Sequence, residues 1–325
     1  MCLPVLLPEV REWLSRRSSS AARWPAELLM RHKGGTRVSV VLPARNEEAT
    51  IGEIVGRIHR DLVVDVPLID ELVVLDSRSS DRTAELAVAA GAVTIAQDSV
   101  LPGLTPLWGK GEALWKSLAV TTGDVIVFVD SDIRGFTTDF ITGLLGPLLT
   151  DPTVMYVKGH YDRPLHDRDS VEPAGGGRVT ELVARPLLNM FWPQLAGIVQ
   201  PLAGEYAGRR EVLEAVPFVC GYGVEFGLLV DLVDLVGLEA FAQVDLGERV
   251  HANQSTQALG RMAGQIISTA WTRLHRQGLV ILSDPPTTLL TQFVRMGGEL
   301  VTDDHDVRVL ERPPMAHIRA LREGR

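Results

Sequence analysis

Two cysteines in 325 residues, Cys2 and Cys220, are too few for a disulfide framework, a Cys-x-x-Cys redox pair or a cysteine zinc site. That scarcity suits a reducing, cytoplasmic setting. Basic residues are in the minority, with 32 Lys and Arg against 41 Asp and Glu and a formal net charge of -9. A nucleic-acid partner normally meets a basic face, so none is expected. Any anion bound here must find a local basic pocket. No uninterrupted apolar run approaches the ~18 residues of a membrane span, and the most hydrophobic stretch, 226–236, is cut by Asp231 and Asp234. Pro4, Pro8 and Glu9 break the first apolar run and no basic segment precedes it, so a secretory signal is not expected. The sequence also has no internal repeat.

What is present is an alternation of strand and helix patterns. Val38–Leu42 is a β-rich run stopped by Pro43, after which Ile51, Ile54, Val55 and Ile58 recur at helical spacing. Leu72–Leu75 is a second strand, followed by a polar turn over 76–81 and a helix over 82–90 closed by Gly91. Val93–Ala96 is a third. Gly109-Lys110-Gly111 opens a helix through Leu118, and Val125–Val129 is a fourth strand, apolar throughout and so buried on both faces. This rhythm predicts an α/β, doubly wound, mostly parallel sheet with helices on both faces. Ligands then lie beyond the carboxyl ends of the strands, where Pro43–Glu47, Asp76–Ser80 and Asp130–Asp132 fall.

The second half is less regular. A strand over 154–157 precedes a polar loop over 162–177. Helices are expected from Arg178 to about Gln194 and after Gly223, with a short β run at Ala242–Val244. Over 255–275, Leu259, Met262, Ile266, Ala270, Trp271 and Leu274 form one stripe, suited to core packing or a dimer face. Residues from about 283 onward carry little pattern.

Asp130-Ser131-Asp132 ends the fourth strand. Residues two apart on extended backbone face one side. Two carboxylates there can hold Mg²⁺ or Mn²⁺, which complete their shell with phosphate oxygens and water; the alternative is a solvated turn. His251 can give the same ion a neutral nitrogen, or be structural. Arg249 can meet a diphosphate, or pair with Glu248 at the surface. Lys110 at a helix start, with backbone amides beside it, suits phosphate, or is an exposed cap; the Walker order is missing. Gly176-Gly177-Arg178-Val179-Thr180 is a second anion site at a helix start, or a plain cap. Tyr222-Gly223-Val224-Glu225 puts a carboxylate where it can bind sugar hydroxyls, or merely complement a helix dipole.

In this order the segments Val40–Glu48, Val74–Asp81, Gly109–Gly111 and Val129–Asp132 resemble A-type glycosyltransferases, with their Rossmann-like fold. Three later segments, Gly175–Leu182, Gly221–Glu225 and Glu248–Asn253, narrow the resemblance to the actinobacterial, chiefly mycobacterial, glucosyl-3-phosphoglycerate synthases, over about residues 36 to 280. The resemblance implies a retaining, metal-dependent hexosyltransferase, a cytoplasmic homodimer moving glucose from UDP-glucose to the C2 hydroxyl of 3-phosphoglycerate. The chain is expected to divide into a helical lead-in (1–35), a Rossmann-like nucleotide-sugar half (36–150), an acceptor half with a long helix (151–282) and a tail (283–325).

The resemblance assigns Pro43, Ala44, Glu47, Ser77 and Lys110 to the uridine nucleotide, with Asp130 near the ribose and Ser131 and Tyr222 along the donor. Asp132 and His251 would hold Mg²⁺ or Mn²⁺, Arg249 would contact the diphosphate and Glu225 the donor glucose, which makes Asp132, Glu225 and Arg249 the expected catalytic set. Gly177, Arg178, Thr180 and Asn253 would hold phosphoglycerate. One departure is Arg45, which stands where an aliphatic residue is expected. Three rival readings share these residues: a mannosyl-3-phosphoglycerate synthase using GDP-mannose, a sugar-nucleotide pyrophosphorylase, and a non-catalytic nucleotide-sugar-binding protein. A pyrophosphorylase would carry a glycine-rich loop where Pro43–Glu47 stands.

Overall fold

The computed structural model describes residues 6–162, 165–167, 170–172, 177–249, 255–281 and 284–323. The chain begins with α1 (Pro8–Arg17), β1 (Ser18–Ser20) and α2 (Ala26–Lys33). Then come β2 (Val38–Ala44), α3 (Ile51–Ile58), β3 (Glu71–Asp76), α4 (Thr83–Ala89), β4 (Val93–Ala96), α5 (Lys110–Val120), β5 (Val125–Phe128) and α6 (Asp139–Thr150). The second half adds β6 (Tyr156–Asp162), the short ribbon β7 (Leu165–Asp167) and β8 (Ser170–Glu172), α7 (Arg185–Phe191), β9 (Tyr206–Arg209), α8 (Arg210–Glu214) and β10 (Phe218–Val219). It closes with α9 (Val224–Val236), β11 (Phe241–Glu248), α10 (Thr256–Arg276), β12 (Leu289–Met296), β13 (Glu299–Asp306), β14 (Glu311–Arg312) and α11 (Met315–Glu323).

Eight strands form one sheet in the order β1-β11-β6-β9-β5-β2-β3-β4. Neighbours are parallel except at β9, which runs antiparallel between β5 and β6. The mostly parallel sheet matches the expected rhythm. Strand β9 was not foreseen, because Tyr206-Ala207-Gly208-Arg209 is short and lacks a strand-like apolar run. The lead-in is not wholly helical either: Ser18–Ser20 pairs with Gln243–Asp245 at the sheet edge. Three serines have no apolar period, so the ladder to β11, rather than side-chain burial, sets that strand.

Side chains alternate between two cores. Val41, Val73, Leu75, Ile126 and Phe128 face one, completed by Leu114 and Trp115 of α5, by α9, and by Ile266, Ala270 and Leu274 of α10. Val40, Leu42, Val74, Val125 and Val127 face the other, completed by α3 and α6. Burial on both sides is why these strands read as nearly continuous apolar runs, with Ser39 the one polar residue within 38–42. Asp231, which interrupts the hydrophobic run of α9, is buried against Arg273 at 2.5 Å and also pairs with Arg276.

The sheet grows from β2 through β3 to β4 in one direction, and β5 then returns to the other side of β2. The loops leaving β2 and β5 therefore diverge and open a crevice at their carboxyl ends. Two bonds join them: the Ser131 hydroxyl donates to the Pro43 carbonyl at 2.7 Å, and the Thr50 hydroxyl donates to the Ser131 carbonyl at 2.6 Å.

The last residues are woven into this core. β14 pairs with β10, Trp115 Nε1 donates to the Pro313 carbonyl at 2.8 Å, and Met315 is buried. Arg312 makes a bidentate pair with Glu112 at 2.6 and 2.8 Å, and Lys116 lies 3.4 Å from the same carboxylate. Glu112 and Lys116 are both almost wholly buried. Removing the shared anion strands two cations, so Glu112→Ala should cost about 3–5 kcal/mol in guanidinium denaturation. A loss under about 1 kcal/mol would show that water reaches both cations.

Candidate active site

Arg249 leaves the carboxyl end of β11 and is 5% exposed. Its Nη1 donates to Asp130 Oδ2 at 3.1 Å, to Glu205 Oε1 at 2.8 Å and to the Tyr161 hydroxyl at 2.8 Å, while Nη2 donates to Asp132 Oδ1 at 2.5 Å. The surface pair with Glu248 does not form; Arg249 is buried against Asp130, Asp132 and Glu205 instead. Burial works against charge on Arg249, and the carboxylates around it, led by Glu205, keep it firmly cationic. Burial likewise opposes ionisation of Asp130, but Lys110 and Arg249 overcome it and hold its carboxyl well below the usual range. Glu205 is pushed up by burial, against the pull of Arg249. A side chain at Gly204 would sit 2.1 Å from Asp130 Oδ2, so glycine there makes room for the carboxylate.

Lys110 begins α5 and pairs with Asp130 and, at 3.0 Å, with Glu225 Oε1 in the first turn of α9. Its flanking glycines have a different task from the one expected. A Cβ on Gly109 would lie 2.1 Å from the Cys220 carbonyl oxygen, and one on Gly111 would lie 1.8 Å from that of Val219. The Gly111 amide already donates to Cys220 at 3.2 Å. The reading of Gly109-Lys110-Gly111 as an amide cradle for phosphate is thus corrected at Gly111. The glycines permit two backbones to touch, and the ammonium is what faces the cavity.

That cavity is about 710 Å³, within the ~300–1,000 Å³ typical of ligand pockets. Pro43, Ala44, Glu47, Ser77, Lys110, Asp130, Ser131, Asp132, Gly177, Arg178, Thr180, Tyr222, Glu225 and Arg249 all line it. His251 and Asn253, and the glycines at 175 and 176, lie outside the described residues. On one side, the turns after β2 and β3 are tied together. Ser77 N–H donates to the Ala44 carbonyl at 2.8 Å, Glu47 N–H to the Thr83 hydroxyl at 2.8 Å, and Ser80 N–H to Asn46 Oδ1 at 2.8 Å, with Asn46 in the left-handed region at φ 58°. On another side, Gly177 at φ 84° turns the chain into a helix that begins with exposed Arg178 and buried Thr180. Leu259 and Met262 of α10 also line the cavity, so part of the apolar stripe serves the site as well as the core.

Sequence reasoning missed Glu205, Tyr161 and Lys158. The available signal for Glu205 was a charged residue enclosed by the small and apolar neighbours Ala203, Gly204, Tyr206 and Ala207. Lys158 is 1% exposed; it donates to the Ala203 carbonyl at 2.6 Å and lies 4.5 Å from the Tyr206 ring centre. Burial pushes its ammonium down to about 7.

Among the described residues, no group of three His, Cys, Asp or Glu side chains converges to enclose a metal. Asp132 instead presents a half-exposed carboxylate at the cavity. One hard oxygen donor beside an open space suits Mg²⁺ or Mn²⁺ sharing its shell with phosphate and water, not a closed protein cage.

The family model for glycosyl transferase family 2 matches residues 39–204. The glucosyl-3-phosphoglycerate synthase of Mycolicibacterium smegmatis is 48% identical over 307 residues, covering 94% of this chain and 98% of its own. The enzyme of the same name from Mycobacterium tuberculosis strain H37Rv is 46% identical, covering 91% and 90%. Among solved structures, mannosyl-3-phosphoglycerate synthase from Rubrobacter xylanophilus superposes with a TM-score of 0.87 at 40% identity, covering 95% of this chain and 98% of its own. The M. tuberculosis glucosyl-3-phosphoglycerate synthase in complex with Mn²⁺, uridine diphosphate and phosphoglyceric acid gives 0.81 at 43%, covering 94% and 99%.

Burial, and then repulsion from Asp132 and Asp130, raise the Glu47 carboxyl from 4.5 to about 7. A carboxyl whose folded value exceeds its unfolded one binds more protons when folded, so stability falls as pH rises between those values. The ligand-free, metal-free chain should therefore lose stability from about pH 4.5 to 7 through this group. Glu47→Gln should flatten that fall in a pH series of melting temperatures; an unchanged slope would show that Glu47 titrates normally.

Proposed function

The chain belongs to glycosyl transferase family 2 and, within it, to the glucosyl-3-phosphoglycerate synthases, and from that membership we propose that it transfers glucose from UDP-glucose to 3-phosphoglycerate. The fold is the A-type glycosyltransferase fold, and the reaction depends on a divalent metal. One observation carries the reading. A single cavity brings Asp132 and Arg249 together with the Lys110–Glu225 pair and with Gly177, Arg178 and Thr180. Residues that the reading assigns to donor, metal and acceptor thus border one space.

In this reading Asp132 and His251 would hold the Mg²⁺ or Mn²⁺, which would supply Lewis-acid stabilisation for the donor diphosphate. Arg249 and Lys110, now neutralised by internal carboxylates, turn toward the negative charge that gathers on the departing UDP. Glu225 accepts hydrogen bonds from the donor glucose. Gly177, Arg178 and Thr180 hold the anionic acceptor at the positive end of a helix, and Asn253 is assigned to the same acceptor. Its C2 hydroxyl attacks from the face that UDP leaves and gives its proton to the leaving phosphate, so configuration is retained without a protein nucleophile.

The likeness to a mannosyl-3-phosphoglycerate synthase favours one second reading, a GDP-mannose donor. Each nucleotide sugar should be offered singly with Mn²⁺ and 3-phosphoglycerate, and the released nucleotide and the product measured. UDP-glucose should turn over fastest; faster turnover of GDP-mannose would move the chain to the mannosyl class. Asp132→Ala should lower turnover by about 100-fold or more without lowering the melting temperature. Full turnover of that variant with chelator present would remove the metal from the account.

No helix among the described residues is long and apolar enough to cross a membrane. The buried free thiol of Cys220 supports a cytoplasmic setting. A homodimer is supported by the β12–β13 hairpin, which leaves Leu289, Phe293, Met296 and Leu300 more than half exposed. Such a two-stranded ribbon is marginal alone. Sedimentation should give twice the chain mass, and Phe293→Glu should shift it toward the monomer; a wild-type monomer at micromolar concentration would end this reading.

A further inference from the structure

The departure at position 45 acquires a meaning from its surroundings. Arg45 and Arg78 follow β2 and β3, and both guanidinium groups lie over the indole of Trp108, at 5.2 and 3.9 Å from the ring centre. All three side chains border the cavity. Arg78 is tied down by a bidentate pair with Asp98 at 2.6 and 2.8 Å, and so fixes the indole. Trp108 is nonetheless 61% exposed, a large flat ring left at the cavity edge. Arg45 differs from Arg78: among the described residues its guanidinium makes no hydrogen bond or ion pair, only the ring contact. The other polar groups nearby are committed. The Ser77 hydroxyl donates to Gln97 Oε1 at 2.8 Å, and Gln97 Nε2 donates to the Leu107 carbonyl at 3.4 Å.

We propose that Arg45, seated over Trp108, selects the donor's nucleobase by hydrogen-bonding the carbonyl at position 4 of uracil or position 6 of guanine, so that these are taken in preference to cytosine and adenine, which carry an amine there. This rests on the reading that the cavity holds a nucleotide sugar. The indole supplies a stacking face, which every base can use and which discriminates little. A guanidinium only donates. It meets the carbonyl of uracil, or O6 and N7 of guanine, as an acceptor; against cytosine or adenine it faces an amine whose hydrogens oppose its own. The aliphatic residue expected at this position would make no such distinction.

The test is calorimetric binding of UDP, CDP, GDP and ADP to the full chain with Mn²⁺, which reads base recognition whether or not sugar is transferred. UDP should bind tighter than CDP, and GDP tighter than ADP, each by about tenfold, the low end for a hydrogen bond to a charged group. Arg45→Leu, at an exposed position, should bring both ratios to near unity by weakening UDP and GDP. Arg45→Lys, which keeps a cationic donor, should retain part of the preference. Unchanged ratios in Arg45→Leu, or equal binding of UDP and CDP to the wild type, overturn the proposal and leave the nucleotide-sugar reading intact. A chain that binds none of the four diphosphates overturns both.

Discussion

The site is organised around one buried guanidinium. A cation taken out of water must be paired, because an uncompensated buried charge costs several kcal/mol. Arg249 meets that demand across four adjacent strands: it leaves β11, and reaches Tyr161 of β6, Glu205 before β9 and Asp130 after β5. This works because β9 runs against its neighbours. Its amino end lies at the edge where the parallel strands have their carboxyl ends, so the residue preceding β9 meets the residue following β5. The single antiparallel strand thus delivers Glu205 to the mouth of the crevice.

Lys110 and Arg249 are both paired with carboxylates of the chain. Asp130 is shared by Lys110 and Arg249, Glu225 by Lys110, and Asp132 by Arg249. In the proposed reading an anionic ligand would compete with these carboxylates for the two cations and so draw on groups already placed and desolvated. Electrostatic catalysis gains most from this kind of preorganisation. Close packing makes it possible: Gly204 yields space to the Asp130 carboxylate, and Gly109 and Gly111 let α5 begin against the backbone at 219–220.

The crevice was legible from local pattern. Apolar runs at 38–42, 72–75 and 125–129 announced strands buried on both faces, and polar turns after each placed Pro43–Glu47, Ser77 and Asp130–Asp132 at one edge. All of these except Asn46 line one cavity, with Lys110, Tyr222, Glu225 and Thr180. Less was legible where polar residues lack period. Three serines form an edge strand, and the tail beyond 283 carries Arg312 to Glu112 and Pro313 to Trp115. Neither contact has a sequence signal, since the partners stand about 200 residues apart in the chain.

By itself the sequence determined the strand and helix rhythm, the two-sided burial of the central strands and the motif residues at their ends, all set by side-chain periodicity within a few positions. Tertiary structure alone decided that Arg249 is buried among carboxylates rather than paired at the surface, that Glu205 and Lys158 underlie the site, that glycines beside Lys110 serve packing, and that Arg45 and Trp108 meet. These outcomes join residues distant in the chain. They depend on strand order and direction, which hydrophobic periodicity does not encode because a strand reads the same whichever way its neighbour runs.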